Sequence, residues 1–111
     1  MTPDLPPHAY VPGGPYPRPR ESSPPPAPLD PARPLDSPAH ARGLALFHAG
    51  YYWEAHEAWE SLWHAHGRAG PIADTIKALI LLAAAGVKVR QRQPRGVRTH
   101  AARARALLDS L

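Results

Sequence analysis

The chain has 111 residues, with 13 Lys and Arg against nine Asp and Glu, a net charge of +4 and no cysteine. That length admits one small domain, and the missing cysteine excludes a disulfide framework, a thiol nucleophile and a thiolate metal site. The longest apolar run, Ala78 to Val87, is ten residues, well short of the about 20 that a membrane-crossing helix needs, so no membrane span is expected.

Fourteen of the 16 prolines fall within residues 1–38, among runs such as Pro24-Pro25-Pro26. Proline fixes φ and removes a backbone donor, and the segment holds too few large apolar side chains to offset the entropy of ordering. Residues 1–37 are therefore read as a disordered, Pro-rich arm of local polyproline-II character, and residues 38–111 as the folded domain. The run Pro12-Gly-Gly-Pro-Tyr-Pro-Arg-Pro-Arg has the loose form of a ligand for an aromatic-lined groove, which makes the arm a candidate docking peptide for an unknown protein partner. No basic start followed by an apolar stretch opens the chain, so it reads as cytoplasmic.

Four helices are expected after the arm. Ser37 and Pro38 form an N-cap and first-turn pair, and helix 1 runs through Leu44, Leu46 and Phe47 to a stop near Gly50. Helix 2 covers about Tyr51 to His66. At 100° per residue its Tyr52, Ala55, His56, Trp59, Leu62, Trp63 and His66 share one stripe, Glu60 and His64 lie on the shoulder, and Glu54, Glu57 and Ser61 point away. Helix 3, about Ile72 to Arg92, is apolar nearly all round and should be the central element, with Ala83 to Gly86 allowing a close neighbour. Helix 4 starts after Pro94 and carries Val97, Ala101, Ala104, Leu108 and Leu111 at the spacing of a buried stripe. No β-alternation occurs. The fold class is all-α: a compact four-helix bundle-like domain behind a disordered arm.

The seam of helix 2 holds the chemistry. His56 sits about 40° from Tyr52 on the helical wheel, Glu60 is its i+4 neighbour and His64 follows one turn later. An imidazole and a carboxylate on adjacent turns can chelate a divalent metal, or act as an oriented base. The spacing His-Glu-x-x-Glu differs from the zinc-protease His-Glu-x-x-His, so a zinc site here needs a further ligand, with His100 or His48 as candidates. The plain alternative is a core histidine satisfied by Glu60 and wedged between tryptophans.

Residues 86–105 carry Lys88, Arg90, Arg92, Arg95, Arg98, Arg103 and Arg105 and no acid. Arg90, Arg95, Arg98 and Arg105 are read as a basic patch for phosphate or nucleic acid, although no nucleic-acid motif or alternating aromatic accompanies them. The small core, with its large aromatics confined to the first two helices, favours a homodimer.

The run from Gly43 to Trp63, with Gly50-Tyr51-Tyr52-Trp53-Glu54-Ala55-His56-Glu57-Ala58-Trp59-Glu60 at its centre, resembles the core motif of domain-of-unknown-function family 309, Phe-Asn-x-Gly-x-Tyr-Phe-x-Ala-His-Glu-x-x-Glu-x-x-Trp. Ile76 to Ala84 resembles that family's second block, and Arg95-Gly96-Val97 the step before its last helix, so the likeness covers about residues 40–111. The resemblance implies a small all-helical protein with a focal site at the motif. It implies no established activity, although some members carry a metal-dependent-hydrolase label. His48 stands where the family tends to have Asn, and Lys77 and Leu81 where it tends to have Gln. Lys77 is expected to pair with Glu57 or Glu60 across the helix 2–helix 3 contact.

The sequence thus supports a non-enzymatic interaction or scaffold domain with a structural, buried His56–Glu60 pair framed by Tyr52, Trp59 and Trp63. The alternative is a metal-dependent hydrolase-like protein with a candidate site at His56, Glu57, Glu60, Trp63 and Tyr52 and a divalent metal on His56, Glu60 and His64. Phosphate or nucleic-acid binding through the arginine-rich helices stands third.

Overall fold

The computed structural model describes residues 5–19 and 24–111. A short 3-10 turn (Pro34–Asp36) precedes four helices: α1 (Pro38–His48), α2 (Tyr52–Ala65), α3 (Pro71–Arg90) and α4 (Pro94–Asp109). No strand occurs among the described residues, and no helix there is long and apolar enough to cross a membrane.

The helix boundaries follow local chemistry. Ser37 Oγ accepts the His40 N–H at 3.2 Å, and Pro38 occupies the first turn, where its missing donor costs nothing. The ends of α1, α2 and α3 share one design, in which the residue after the C-cap takes a positive φ: Gly50, Gly67 and Arg92. In each, the next N–H reaches back to a carbonyl of the last turn, Tyr51 to Leu46 at 2.8 Å, Arg68 to Trp63 at 3.2 Å and Gln93 to Lys88 at 3.0 Å. Glycine bears that conformation without strain, whereas Arg92 holds it at φ 57°.

The core is the contact of α1, α2 and α3, built from Leu46, Ala55, Trp59, Leu62, Ile76, Ile80 and Ala83. Trp59 is its largest fully buried side chain. Its ring lies on Gly43 of α1, where an added Cβ would come within 2.6 Å of the indole nitrogen. Its indole N–H, which burial would otherwise leave unpaired, donates to His40 Nδ1 at 3.1 Å. At the other end of α2, Tyr52 lies flat against Gly86 of α3, with Phe47 edge-on to it at 5.2 Å.

Helix α3 is the central element, as expected, with α2 on one side and α4 on another. Helix α4 corrects the expected stripe. Ala104 is buried, but Ala101 is exposed, and Leu108 and Leu111 are 45% and 56% exposed. Val97 is half-buried as expected, and the rest of the inward face is Gly96, His100, Ala104 and Leu107. Gly96 sits on the aliphatic stem of Lys88, so the inward stripe is marked by a glycine and a histidine that no apolar periodicity picks out.

The arm before α1 has no regular element among its described residues beyond the 3-10 turn, and those residues lie on the outside of α2. Pro6 C=O accepts from Tyr51 Oη at 2.8 Å, Tyr10 N–H donates to Glu54 Oε2 at 3.0 Å, and Leu29 N–H donates to His66 Nε2 at 3.0 Å. The expectation that Glu54 faces solvent is corrected: it is 5% exposed, because the arm covers it.

Two outcomes follow. Gly86→Ala forces a methyl group into the Tyr52 ring and should lower unfolding free energy by about 1–3 kcal/mol in a urea titration. Burial holds His40 below the ordinary histidine pKa, so the unfolded chain binds this proton more readily than the folded one. Its contribution to stability is then complete above about pH 6.5 and is lost as pH falls through the lowered folded value. Urea midpoints should drop between pH 7.5 and 5.5, and His40→Gln, which keeps an acceptor for Trp59, should shrink that drop.

Candidate functional site

Docking of Trp59 fixes the rotation of α2 and so decides where its other side chains point. His56 is one turn before Glu60 and next to Glu57, and the three meet. His56 Nε2 lies 3.0 Å from Glu60 Oε2 and its Nδ1 lies 3.3 Å from Glu57 Oε1. Glu57, expected to point away, swings its long side chain back to the imidazole, since a rotation of about 100° between adjacent residues is within the reach of a glutamate.

The His56–Glu60 pair is half-buried rather than enclosed, with 26% of the His56 side chain exposed. Its Nδ1 is shielded from solvent without an aligned hydrogen-bond partner. One ligand atom each from His56, Glu57 and Glu60 falls within 4.8 Å of the others. His64, the third residue of the expected metal set, is exposed and 4.0 Å from Glu60 Oε1. The metal-compatible group found among the described residues contains Glu57 in its place.

The aromatic residues expected around His56 have other neighbours. Trp59 is in the core, Tyr52 is between Gly86 and Phe47, and Trp63 is half-buried with Lys77 Nζ over its ring at 4.6 Å. That last contact corrects the expected pairing of Lys77 with a glutamate: the ammonium is held by a π-face across the α2–α3 contact.

His48 is exposed at the end of α1. His100 of α4 faces inward, its Nδ1 shielded and without a hydrogen-bond partner. Burial lowers its pKa, and Arg103, Lys88 and His56 lower it further. Of the basic patch, Arg90 is committed to the α1–α2 joint. It donates to Gly50 C=O at 3.2 Å and sits 5.5 Å from the Tyr52 ring centroid. Arg95, Arg98 and Arg105 are exposed on α4, with Arg105 3.8 Å from Asp109.

The arrangement missed at the sequence level lies at the first turn of α2. Trp53 meets Tyr10 edge-on at 4.8 Å and the Arg18 guanidinium at 5.3 Å. A tryptophan and a glutamate side by side at the start of the helix were the available signal.

The family described as a domain of unknown function, DUF309, matches residues 40–100, from the first turn of α1 to the middle of α4. The chain belongs to that family. No curated protein and no solved structure matches the chain.

A half-exposed pair contributes little to stability. His56→Gln should therefore change unfolding free energy by less than about 1 kcal/mol, against roughly 2–5 kcal/mol for Leu62→Ala in the core. Equal costs in denaturant titrations would make the pair a structural one.

Proposed function

We propose that this DUF309 protein binds a divalent cation at the α2 seam, with His56, Glu57 and Glu60 as ligands. The observation that carries the reading is the convergence of one imidazole and two carboxylates within 4.8 Å on a single helix. Their partial exposure and the shielded, unaligned His56 Nδ1 support it. A histidine serving packing alone would be expected to be enclosed, with both ring nitrogens satisfied.

One nitrogen and two carboxylate oxygens suit Mn(II), Fe(II) or Zn(II) better than Ca(II), which takes oxygen ligands alone. Three protein ligands leave coordination positions open, as a Lewis-acid site requires. The alternative, a non-enzymatic interaction domain in which the pair only completes the seam, draws on the 3.0 Å contact of His56 with Glu60.

Calorimetric titration of the untagged, chelator-stripped chain with Zn²⁺ and with Mn²⁺ separates the two. One ion per chain is expected, with affinity reduced at least about tenfold, equivalent to about 1.4 kcal/mol, in His56→Ala and in Glu60→Gln. Asp74→Asn should be unchanged, and circular dichroism should show the helices intact in all three. Absence of saturable binding up to about 1 mM, or binding indifferent to His56→Ala, would leave the interaction-domain reading.

A further inference from the structure

The outer flank of α2 is built in a way that a solvent-facing helix surface does not need. Glu54 is a carboxylate buried on the side of the helix away from the core, and its one hydrogen bond comes from the Tyr10 N–H of the arm. Burying a carboxylate is costly unless a donor meets it, and here the arm supplies that donor to Oε2 while Oε1 is buried without a partner. Next to it, Trp53 is gripped by Tyr10 edge-on and by the Arg18 guanidinium. Tyr51 Oη and Gln91 Nε2 add donors aimed at the carbonyls of Pro6 and Pro12. The flank therefore offers an aromatic platform, one acceptor and two donors, each matched to an arm group within residues 6–18.

The arm is shaped for that flank before it docks. Pro12 and Gly13 sit in a turn closed by the Gly14 N–H to Val11 C=O bond at 2.8 Å, with Gly13 at φ 83°. Proline presets the second position of such a turn and glycine takes the third. The reversal brings His8 and Tyr16 face to face, with ring centroids 3.8 Å apart. Proline elsewhere reduces the conformational freedom that binding must remove. Backbone carbonyl recognition next to an aromatic face is the way proline-rich ligands are generally read.

We propose that the outer flank of α2, centred on Trp53 and Glu54, is a peptide-binding groove whose ligand is residues 5–18 of this chain, held within one copy and transferable to another. Tyr10 and Arg18 are the side-chain anchors, and Pro6, Tyr10 and Pro12 present the backbone groups. The tether keeps the arm at an effective concentration on the order of mM beside its groove, so a copy normally serves itself. A second copy's arm enters where the first is weakened or displaced. Trp53 is one turn before His56 and Glu57 on α2, so the groove adjoins the candidate cation seam, and the arm contacts that define it involve none of the three proposed ligands.

The probe is a synthetic peptide of residues 5–19, added to the full chain carrying Tyr10→Ala and Arg18→Ala. The readout is the Trp53 indole N–H resonance, assigned by its loss in Trp53→Phe, together with calorimetry. Saturable binding is expected to the arm-weakened chain, at least about tenfold weaker binding to the wild type, whose own arm competes, and none when Glu54→Leu is added. Trp53→Ala is a second groove variant for the case in which Glu54→Leu fails to fold. A Trp53 resonance that the peptide leaves unmoved in the arm-weakened chain, or equal binding to all the chains, would overturn the proposal.

Discussion

An indole N–H cannot be buried among aliphatic side chains without an acceptor, and most of this structure follows from how Trp59 meets that constraint. The acceptor is His40 Nδ1 on α1, and the space for the ring is made by Gly43, one turn further along the same helix. The residue that satisfies the ring and the residue that seats it are therefore both on α1. That contact locks the rotation of α2. Once Trp59 faces α1 and α3, His56, Glu60 and Trp53 are carried to one side of the helix and Glu54 to its outer face. Polar chemistry on α2 is thus placed by an apolar side chain that takes no part in it.

The resulting helix has little ordinary surface. Its middle turns gather an imidazole between two carboxylates, and its first turn holds an aromatic ring and a buried acid beneath the arm. Pro24 and Pro26, further along the arm, line a shallow groove with Arg42, Glu57 and Ser61. Glu57 consequently belongs to both environments, since its carboxylate faces His56 while its flank borders the arm. Charge on α2 is held near cations or donors on each side, which fits the absence of lysine and arginine from the helix itself.

Much of the fold was legible in the sequence because local signals and the global arrangement agree. Ser37-Pro38 opened α1 where expected, Gly50 and Gly67 closed the first two helices, and the unbroken apolar surface of α3 marked it as central. The family motif was legible for the same reason, as its residues are clustered in sequence. Legibility failed where a contact depended on residues far apart. Glu54 reads as a solvent residue on any helical wheel, and only the docked arm, 44 positions away at Tyr10, makes it buried. The α4 stripe was right at Val97 and Ala104 but missed elsewhere, because Gly96 and His100 share the inward face and neither registers as apolar. Lys77 was assigned to a carboxylate because charge pairing is the simpler expectation, whereas the Trp63 ring was nearer.

The position of α4 bears on how the molecule moves. It is secured by α3 alone among the helices with extensive contacts, and it contributes a single fully buried residue, Ala104. Detaching it would leave the Trp59 cluster in place, since α4 contributes none of its residues, but it would break the most extensive helix–helix contact of the molecule. His100 travels with that helix, and so do Arg95, Arg98, Arg103 and Arg105. Opening of α4 would carry His100 away from the bundle and uncover the α3 face beneath it. Amide exchange in α4 relative to α1–α3 would report that opening, in a helix that carries four of the chain's eleven arginines.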